Sequence, residues 1–461
     1  MHNFKPNDKV KICKYIESGV RFSYEGITCC CANTFISPVI ITAEEMKSGK
    51  VTYELVVERR KELFERVNGL RDGDTGSCLK CNLLMEREYK DVNFEYLGGH
   101  GYSSGFNIQH FTSCNLRCSY CIFTKENTFK PPIYSNLIEF IELFRSRGKL
   151  VGGNWIEFNG GEPTLLNNFN EILDYLVENN CGTVMLFSNS LKYSESVYNA
   201  LKENKICITT SLDAGTPSTY KKMKRVDGYA KVLENMIRYK KSGTKNMFVL
   251  KYIICEENRT DDDLYGFVFA MLLIKPSHVY ICPDFPYGDR DIPEESVEFG
   301  ARMWVLLEKY GKGSTIVYIQ SDDMNGDPKF AKFSDDIRKK YQELKDSMNY
   351  QEDLYNIVKI NESLSNNLEL YNIINSYENK LNNISNNINK LAWWIPVKKW
   401  RDNFRNKMLN TDQTRPDQTR PDQTRPDQTR PNYYICSDYI CFYNNSEFKK
   451  TQPMLQYKIA A

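Results

Sequence analysis

Between about residues 102 and 286, apolar strand-like runs alternate with amphipathic helix-like runs. The predicted strands are 155–159, 183–188, 206–212, 248–254 and 278–282. The predicted helices between them include 135–147, 168–178, 195–203 and 232–241. This alternation is typical of a parallel sheet in an α/β fold. Five or six such units suit an open or closed barrel better than a small sandwich.

The segments on either side of this region are less regular. Residues 1–100 combine short apolar runs with one predicted helix near 53–67. After the barrel, residues 294–312 predict a helix and residues 314–320 a strand. Residues 327–392 have a helical pattern that is rich in Asn and charge, with a narrow apolar seam. That seam fits either a solvated helix packed on the barrel edge or a coiled coil.

A five-residue repeat, Asp-Gln-Thr-Arg-Pro, occurs at 412–416, 417–421, 422–426 and 427–431. Proline at every fifth position forbids a continuous helix, and the repeat has no apolar residue to build a core, so we expect an extended or disordered spacer. The predicted domains are a cysteine-rich module (1–100), the barrel (101–325), a helical extension (326–410), the spacer (411–431) and a disordered C-terminal segment (432–461).

Composition and charge narrow the possible partners and location. The chain has 461 residues, of which 41% are hydrophobic and 26% charged, and its formal net charge is +2. Such a balance gives no general attraction to nucleic acid. The first residues lack the pattern of a signal peptide, and no apolar stretch approaches the roughly 20 residues of a membrane span. We therefore expect a cytoplasmic protein with no nucleic-acid partner.

The 15 cysteines are clustered. In a reducing compartment, clustered cysteines bind metal more often than they form disulfides. Four others lie in apolar strand-like runs and are expected in the core, where free cysteine behaves as a small hydrophobe: Cys181, Cys207, Cys255 and Cys282.

Cys114, Cys118 and Cys121 form a C-x3-C-x2-C motif. Three thiolates on one loop can bind three irons of a [4Fe–4S] cluster, because soft thiolate suits iron–sulfur chemistry. The fourth iron then has no protein ligand and can bind the amino and carboxylate groups of S-adenosylmethionine. The alternatives are coincidence or a zinc site, which requires a fourth ligand nearby, and His110 is the local candidate.

This motif resembles that of the radical S-adenosylmethionine superfamily, and the resemblance extends over about residues 104–285. It implies that Tyr120 lies near the adenine. It also implies that the Gly160-Gly161-Glu162-Pro163 turn contacts the cofactor, with Glu162 accepting a hydrogen bond from the substrate ammonium. The expected fold is a partial (β/α)6 TIM-type barrel with a small N-terminal cysteine-rich domain and a helical C-terminal extension.

The same resemblance implies further cofactor contacts at strand ends. Asn189 ends the third strand, and Ser211 and Asp213 end the fourth. Each of these residues could instead cap the following helix. Beyond them, Lys222, Lys224 or Arg225 could face the cofactor carboxylate. The implied electron donor is a small protein of the flavodoxin or ferredoxin type.

A second group of cysteines, Cys13, Cys31, Cys78 and Cys81, precedes the barrel. Their pattern resembles the auxiliary-cluster modules called SPASM and twitch, although those modules usually follow the barrel. The resemblance implies a second [4Fe–4S] cluster with four protein ligands. Cys30 or Cys29 could replace Cys31. A structural zinc and plain buried cysteines are the alternatives.

A basic aromatic tail, residues 391–409, contains Trp393, Trp394 and Trp400 and has five basic residues against one acidic. Apolar residues recur every four positions from Trp400 to Met408. This pattern fits either peripheral contact with a membrane or docking on protein. The tail also resembles the C-terminal tails of some bacterial capsule and lipooligosaccharide glycosyltransferases.

Three functions follow from these features. The auxiliary-cluster resemblance favours an enzyme that modifies a peptide, whereas the tail favours one that modifies a sugar or glycan intermediate. In both cases hydrogen abstraction from the substrate is expected. The third possibility is a non-catalytic iron–sulfur sensor or scaffold, against which the intact Gly-Gly-Glu-Pro turn argues.

Overall fold

The computed structural model describes residues 4–30, 37–94, 105–132, 134, 136–284, 291–319, 328–347, 350–365, 439–440 and 457–458. Two compact units are present. One contains Met1–Gly311 with Thr315–Asn349, and the other contains Lys312–Ser314 with Tyr350–Ala461. Cys31, the basic aromatic tail and the spacer lie outside the described residues, as do residues 366–390 and most of residues 432–461.

Among the described residues before 95, the first unit contains five short strands and three helices. In chain order these are β1 (Lys9–Ile12), α1 (Lys14–Ser18), β2 (Val20–Ser23), β3 (Gly26–Thr28), β4 (Val39–Thr42), α2 (Ala43–Lys47), α3 (Tyr53–Val67) and β5 (Met85–Glu88). Strands β1 and β5 pair as a separate antiparallel ribbon. The predicted helix at 53–67 is confirmed as α3. It begins after Thr52, whose side chain accepts a hydrogen bond from the backbone N–H of Leu55.

Six strand–helix units follow. Their elements are β6 (Phe106–Gln109), α4 (Ile122–Lys125), α5 (Leu137–Arg145), β7 (Trp155–Phe158), α6 (Phe169–Glu178), β8 (Thr183–Phe187), α7 (Glu195–Lys202), β9 (Ile206–Ser211), α8 (Pro217–Lys224), α9 (Tyr229–Lys240), β10 (Phe248–Ile254), α10 (Asp261–Ile274), β11 (His278–Pro283) and α11 (Glu294–Gly311). Strand β12 (Ile316–Ile319) and helix α12 (Pro328–Leu344) complete the unit. Four single-turn 3-10 helices lie at Cys78–Lys80, Tyr89–Asp91, Pro163–Leu165 and Glu256–Asn258.

Strands β6 to β12 are parallel and follow one another in the sheet in chain order. Helices cover β6 to β11, so most residues of these strands are buried and read as apolar runs in the sequence. Strand β12, at the edge of the sheet, is more exposed, with Ile316 at 50% and Tyr318 at 44%. The predicted partial (β/α)6 barrel is therefore confirmed, as an open sheet. Strand β2 pairs in parallel with β6, and β3 and β4 add two antiparallel strands beyond it. Strands β2, β3 and β4 thus extend the barrel sheet, while the domain boundaries drawn from the sequence stay predictions.

In the second unit, α13 (Tyr350–Ser365) is helical, and two short strands, β13 (Tyr439–Ile440) and β14 (Tyr457–Lys458), pair with each other. Throughout the described part of the chain, no helix has the length and apolar character needed to cross a membrane.

Candidate active site

Loops at the carboxyl ends of β6, β7, β8 and β9 surround one cavity, at the edge where parallel barrels form their sites. The wall contains Cys114, Cys118 and Cys121. It also contains the sequence-predicted residues Tyr120, Gly160, Gly161, Glu162, Asn189 and Ser211. Residues around the cavity that the sequence did not assign are Leu116, Phe123, Phe129, Phe187, Ser188 and Thr209. Lys224, one of three basic candidates, lines it as well.

The cysteine loop is held by backbone hydrogen bonds to the end of α8. The N–H of Arg117 donates to the carbonyl of Lys224 (3.1 Å), and the N–H of Ser119 donates to the carbonyl of Met223 (2.9 Å). These bonds fix the direction in which the loop presents its thiols.

Cys114 also receives hydrogen bonds at its sulfur. The N–H of Leu116 lies 3.4 Å from Sγ, and Nδ2 of Asn189 lies 3.8 Å from it. Such bonds to sulfur tune iron–sulfur sites. Burial raises the pKa of the Cys114 thiol to about 12, against a smaller lowering by the Leu116 N–H. A bound metal overcomes that cost, because it deprotonates a coordinating thiol outright.

The glycine turn after β7 packs directly on the residue before Cys114. Gly160 has φ +108, a conformation that L side chains rarely adopt. A Cβ on Gly161 would lie 1.9 Å from the carbonyl oxygen of Ser113. The N–H of Glu162 donates to that same oxygen at 2.9 Å. Two glycines are therefore needed here so that the turn and the cysteine loop can touch.

Glu162 is 1% exposed, and four donors of the protein surround its carboxylate. Oε1 accepts from the N–H of Thr164 (3.2 Å), from Oγ1 of Thr164 (2.7 Å) and from Oγ of Ser188 (2.8 Å). Oε2 accepts from the N–H of Asn189 (2.7 Å). Burial raises the pKa of Glu162, and these hydrogen bonds oppose the rise. Oε1 therefore has three protein donors and Oε2 has one, so Oε2 is the oxygen that can accept a further hydrogen bond.

Asp213 is fully buried, and its carboxylate contacts protein groups instead of lining the cavity. Oδ2 accepts from Nζ of Lys224 and from the hydroxyl of Tyr120 (2.5 Å), and Oδ1 accepts from the N–H of Ile253 (2.6 Å). Burial alone would lower the pKa of Lys224, but the negative charge of Asp213 raises it overall. Lys224 is 2% exposed at the end of α8. Its positive charge therefore persists in the cavity wall beside Tyr120.

His110, the local zinc candidate, is buried between Phe111 and Tyr134, with ring centroids 5.3 and 5.6 Å away. Burial lowers its pKa to about 4, so it is neutral. It does not line the cavity that contains the three cysteines. The structure thus brings the sequence-predicted cofactor residues together with the cysteines, except that Asp213 acts through Lys224 and Tyr120.

A second cavity collects the N-terminal cysteines. Its wall contains Cys13, Cys29, Cys30, Cys78 and Cys81, and most of the remainder is apolar. Burial raises the pKa of Cys13 to about 11 and that of Cys78 to about 12. Across the residues that the structure describes, no group of three or more His, Cys, Asp or Glu side chains converges closely enough to hold a single metal ion. The thiols therefore surround a space instead of meeting at one point.

Comparisons with known proteins agree with this geometry. Residues 108–268 match the family model described as the Radical SAM superfamily. GTP 3′,8-cyclase of Clostridium botulinum (strain Okra / Type B1) is 25% identical over 158 residues, which are 34% of this chain and 48% of that protein. The mitochondrial GTP 3′,8-cyclase of Arabidopsis thaliana is 24% identical over 223 residues, which are 47% of this chain and 53% of that protein. The chain thus spans about half the length of the curated relatives it matches.

Solved structures resemble the chain at lower identity. Streptococcus suis SuiB bound to S-adenosylmethionine has 13% identity and a TM-score of 0.40, over 61% of each chain. The anSMEcpe structure with bound AdoMet has 18% identity and a TM-score of 0.38, over 47% of this chain and 63% of that one. The family match, 108–268, includes all three cysteines and the glycine turn of the cavity. Through this region, the chain is similar to the radical SAM superfamily.

Proposed function

We propose that this chain is an enzyme that reductively cleaves S-adenosylmethionine at a [4Fe–4S] cluster and abstracts hydrogen from a substrate. The supporting observation is that Cys114, Cys118 and Cys121 line the same cavity as the Gly160–Glu162 turn. The donor set fits the cluster, because three soft thiolates leave one iron for the cofactor. When bound, the cluster supplies the electron that cleaves S-adenosylmethionine to methionine and a 5′-deoxyadenosyl radical.

The residues of the cavity then have distinct tasks. The remaining acceptor position of Glu162 suits an ammonium group, and a charge-assisted bond there would orient the cofactor. The Tyr120 ring offers a flat face for adenine, and Lys224 fixes that ring through its hydrogen bond to the Tyr120 hydroxyl (2.6 Å). Leu116, Phe123 and Phe187 are apolar parts of the wall. They limit the access of water to the reacting atoms.

Anaerobic reconstitution tests this proposal. The iron-loaded chain with a strong reductant should convert S-adenosylmethionine to 5′-deoxyadenosine. Cys118→Ala should abolish the product, because a cluster ligand is lost. Cys207→Ala should retain it, since Cys207 is a buried core residue of β9 and does not line the cavity. If the iron-loaded parent yields no 5′-deoxyadenosine under any reducing condition, the enzyme proposal fails and a sensor or scaffold becomes the better interpretation.

Substrate and donor are further proposals. The substrate is either a peptide or a sugar or glycan intermediate, and a flavodoxin- or ferredoxin-type protein would supply the electron. Cleavage of S-adenosylmethionine in the presence of deuterated candidates separates the two substrate classes. Only the true substrate should transfer deuterium to 5′-deoxyadenosine. GTP belongs in the same panel, because the relatives are named GTP 3′,8-cyclases.

A second iron–sulfur cluster is proposed in the N-terminal cavity. Cys13, Cys78 and Cys81 supply three thiols, and Cys30 or Cys29 lines the same wall in the place that the sequence assigned to Cys31. Four sulfurs around one zinc lie about 3.8 Å apart, given Zn–S bonds of about 2.3 Å. A cubane cluster spreads its ligands over four irons and so fits thiols that surround a space. Iron and zinc analysis of a Cys114/Cys118/Cys121→Ala variant separates the two metals.

A further inference from the structure

We propose that Arg60 is the counter-charge of the second cluster and raises its reduction potential. The inference rests on the proposed N-terminal cluster and assigns a role to a residue outside its ligand set. Arg60 lies on α3, one turn before Leu63, which lines the cysteine cavity. Burial raises the pKa of the Cys29 thiol in that cavity wall, and the positive charge of Arg60 opposes the rise.

Arg60 is 0% exposed and only partly hydrogen-bonded. Nη1 donates to the carbonyl of Glu17 at 2.8 Å. Nε and Nη2 are buried, and neither has a hydrogen-bond partner among the described residues. Arginine does not lose its proton in proteins, so this site holds a buried cation with unused donors. An arrangement of this kind costs free energy unless an anion compensates it.

The surrounding protein supplies little negative charge. In the described part of the chain, Arg60 has no carboxylate partner, and the groups that interact with its charge are the Cys29 thiol and the Tyr53 hydroxyl. The nearby carboxylate of Glu17 is occupied elsewhere, by Nη1 of Arg87 (2.5 Å) and the N–H of Asn93 (3.0 Å). A [4Fe–4S] cluster with four thiolates has a net negative charge. Such a cluster would therefore compensate Arg60, whose helix α3 also carries Leu63 in the wall of the cysteine cavity.

This arrangement has a measurable electrochemical consequence. Reduction adds one electron to the cluster and makes it more negative, so a nearby positive charge favours the reduced form. The potential is best measured in the full chain with Cys114, Cys118 and Cys121 all changed to Ala, because only the second cluster remains. In an anaerobic titration with dithionite as the electron source, Arg60→Met should lower the reduction equilibrium constant at least tenfold, which is 59 mV for one electron.

Arg59→Met is the matched control. Arg59 is the adjacent residue on α3, but its side chain is 36% exposed and paired with Glu45 and Glu62. Its removal should leave the potential unchanged. Equal potentials in the Arg60→Met variant and its parent would overturn the Arg60 inference and leave the cluster standing. An absence of iron in the parent would overturn both the Arg60 inference and the second cluster. The proposed cleavage of S-adenosylmethionine would be unaffected, because formation of 5′-deoxyadenosine by the unmodified chain tests it separately.

Thermal unfolding of the same proteins gives a second, independent measurement. Without metal, Arg60→Met removes an uncompensated buried charge, so the variant should be at least as stable as its parent. With the cluster bound, the variant loses a compensating charge, and cluster loading should raise its Tm by less than it raises the Tm of the parent. A merely structural role for Arg60 would destabilise both forms equally. Equal effects of loading, or a variant that fails to fold in either form, would contradict the proposal.

Discussion

The backbone N–H of Asn189 donates a 2.7 Å hydrogen bond to Oε2 of Glu162, which joins the end of β8 to the turn after β7. The same carboxylate accepts from Ser188 and Thr164 through Oε1. Glu162 therefore has a second role besides the cofactor contact that the sequence predicts. It holds two loops of the cavity together, and we propose that its Oε2 also accepts a hydrogen bond from the cofactor.

Two substitutions separate those roles. Glu162→Gln keeps the shape of the side chain but removes its charge, and should weaken S-adenosylmethionine binding about tenfold, because a charge-assisted hydrogen bond contributes about 1.5–3 kcal/mol. Glu162→Ala should also lower the free energy of unfolding, by about 1–3 kcal/mol for each buried donor left unpaired. Calorimetric titration of the iron-loaded proteins measures the first effect, and urea unfolding measures the second.

Glu171→Gln is the control for both measurements, since Glu171 is exposed on α6. It should match the parent in affinity and stability. Unchanged affinity in Glu162→Gln would remove the Glu162 charge from cofactor binding and leave only its role in joining the loops.

Gly161→Ala should disturb the cysteine loop through direct contact. Its Cβ would lie 1.9 Å from the Ser113 carbonyl oxygen, a backbone atom adjacent to Cys114 that cannot move freely. We expect a loss of about 1–3 kcal/mol in stability, as for other overpacked positions, and a lower iron content after reconstitution. Gly153→Ala is the control, because no atom lies within 4 Å of its added Cβ. Full iron loading of Gly161→Ala would show that the loop tolerates the displacement.

The barrel could be predicted from the sequence because its strands are buried on both faces. A strand such as β10 (Phe248–Ile254) reads as one apolar run, and its predicted bounds are confirmed without change. The candidate cofactor residues came from the family resemblance, and Gly160 and Asn189 line one cavity because they lie at strand ends that meet at one edge of the sheet. The apolar pattern of the sequence agrees with the fold for those elements whose own residues determine that they are buried.

Charged residues in the interior could not be predicted in this way. Arg59 and Arg60 are adjacent and chemically identical, yet Arg59 is half-exposed and Arg60 is fully buried. Lys222 and Lys224 differ in burial in the same way. Lys222 is exposed, whereas Lys224 is buried and pairs with the carboxylate of Asp213. Which member of each pair is buried depends on partners distant in sequence, and no local pattern contains that information.

The basic aromatic tail, residues 391–409, remains a proposal for peripheral membrane contact. Its net positive charge should attract anionic lipid at about 1 kcal/mol per basic residue near the surface, and its apolar face adds burial at the headgroups. The full chain should sediment with anionic liposomes at low salt, and a chain truncated before Lys390 should not. Deletion of the repeat at 412–431 is the control and should change nothing, since its arginines are matched by aspartates. If both the full and the truncated chain remain in the supernatant, the tail binds protein instead.

The ion pair between Lys224 and Asp213 should couple the stability of the barrel to the cysteine loop. Both side chains are buried, at 2% and 0% exposure, so removal of one leaves the other charge without compensation. Lys224→Met should therefore cost about 3–5 kcal/mol in the free energy of unfolding. Lys222→Met, on the exposed face of the same helix, should change it by less than about 0.5 kcal/mol.

A double-mutant cycle shows whether the charge itself is responsible. Lys224→Met combined with Asp213→Asn removes both charges, and it should be more stable than the sum of the single effects predicts, by about 0.5–3 kcal/mol. Simple additivity would mean that the two residues contribute through packing alone. The backbone carbonyl of residue 224 accepts from the Arg117 N–H in the cysteine loop. If the uncompensated Asp213 charge displaces this end of α8, iron content should fall with Lys224→Met and recover in the double variant. If the double variant recovers its stability but not its iron content, the ion pair stabilises the barrel and does not affect the cluster.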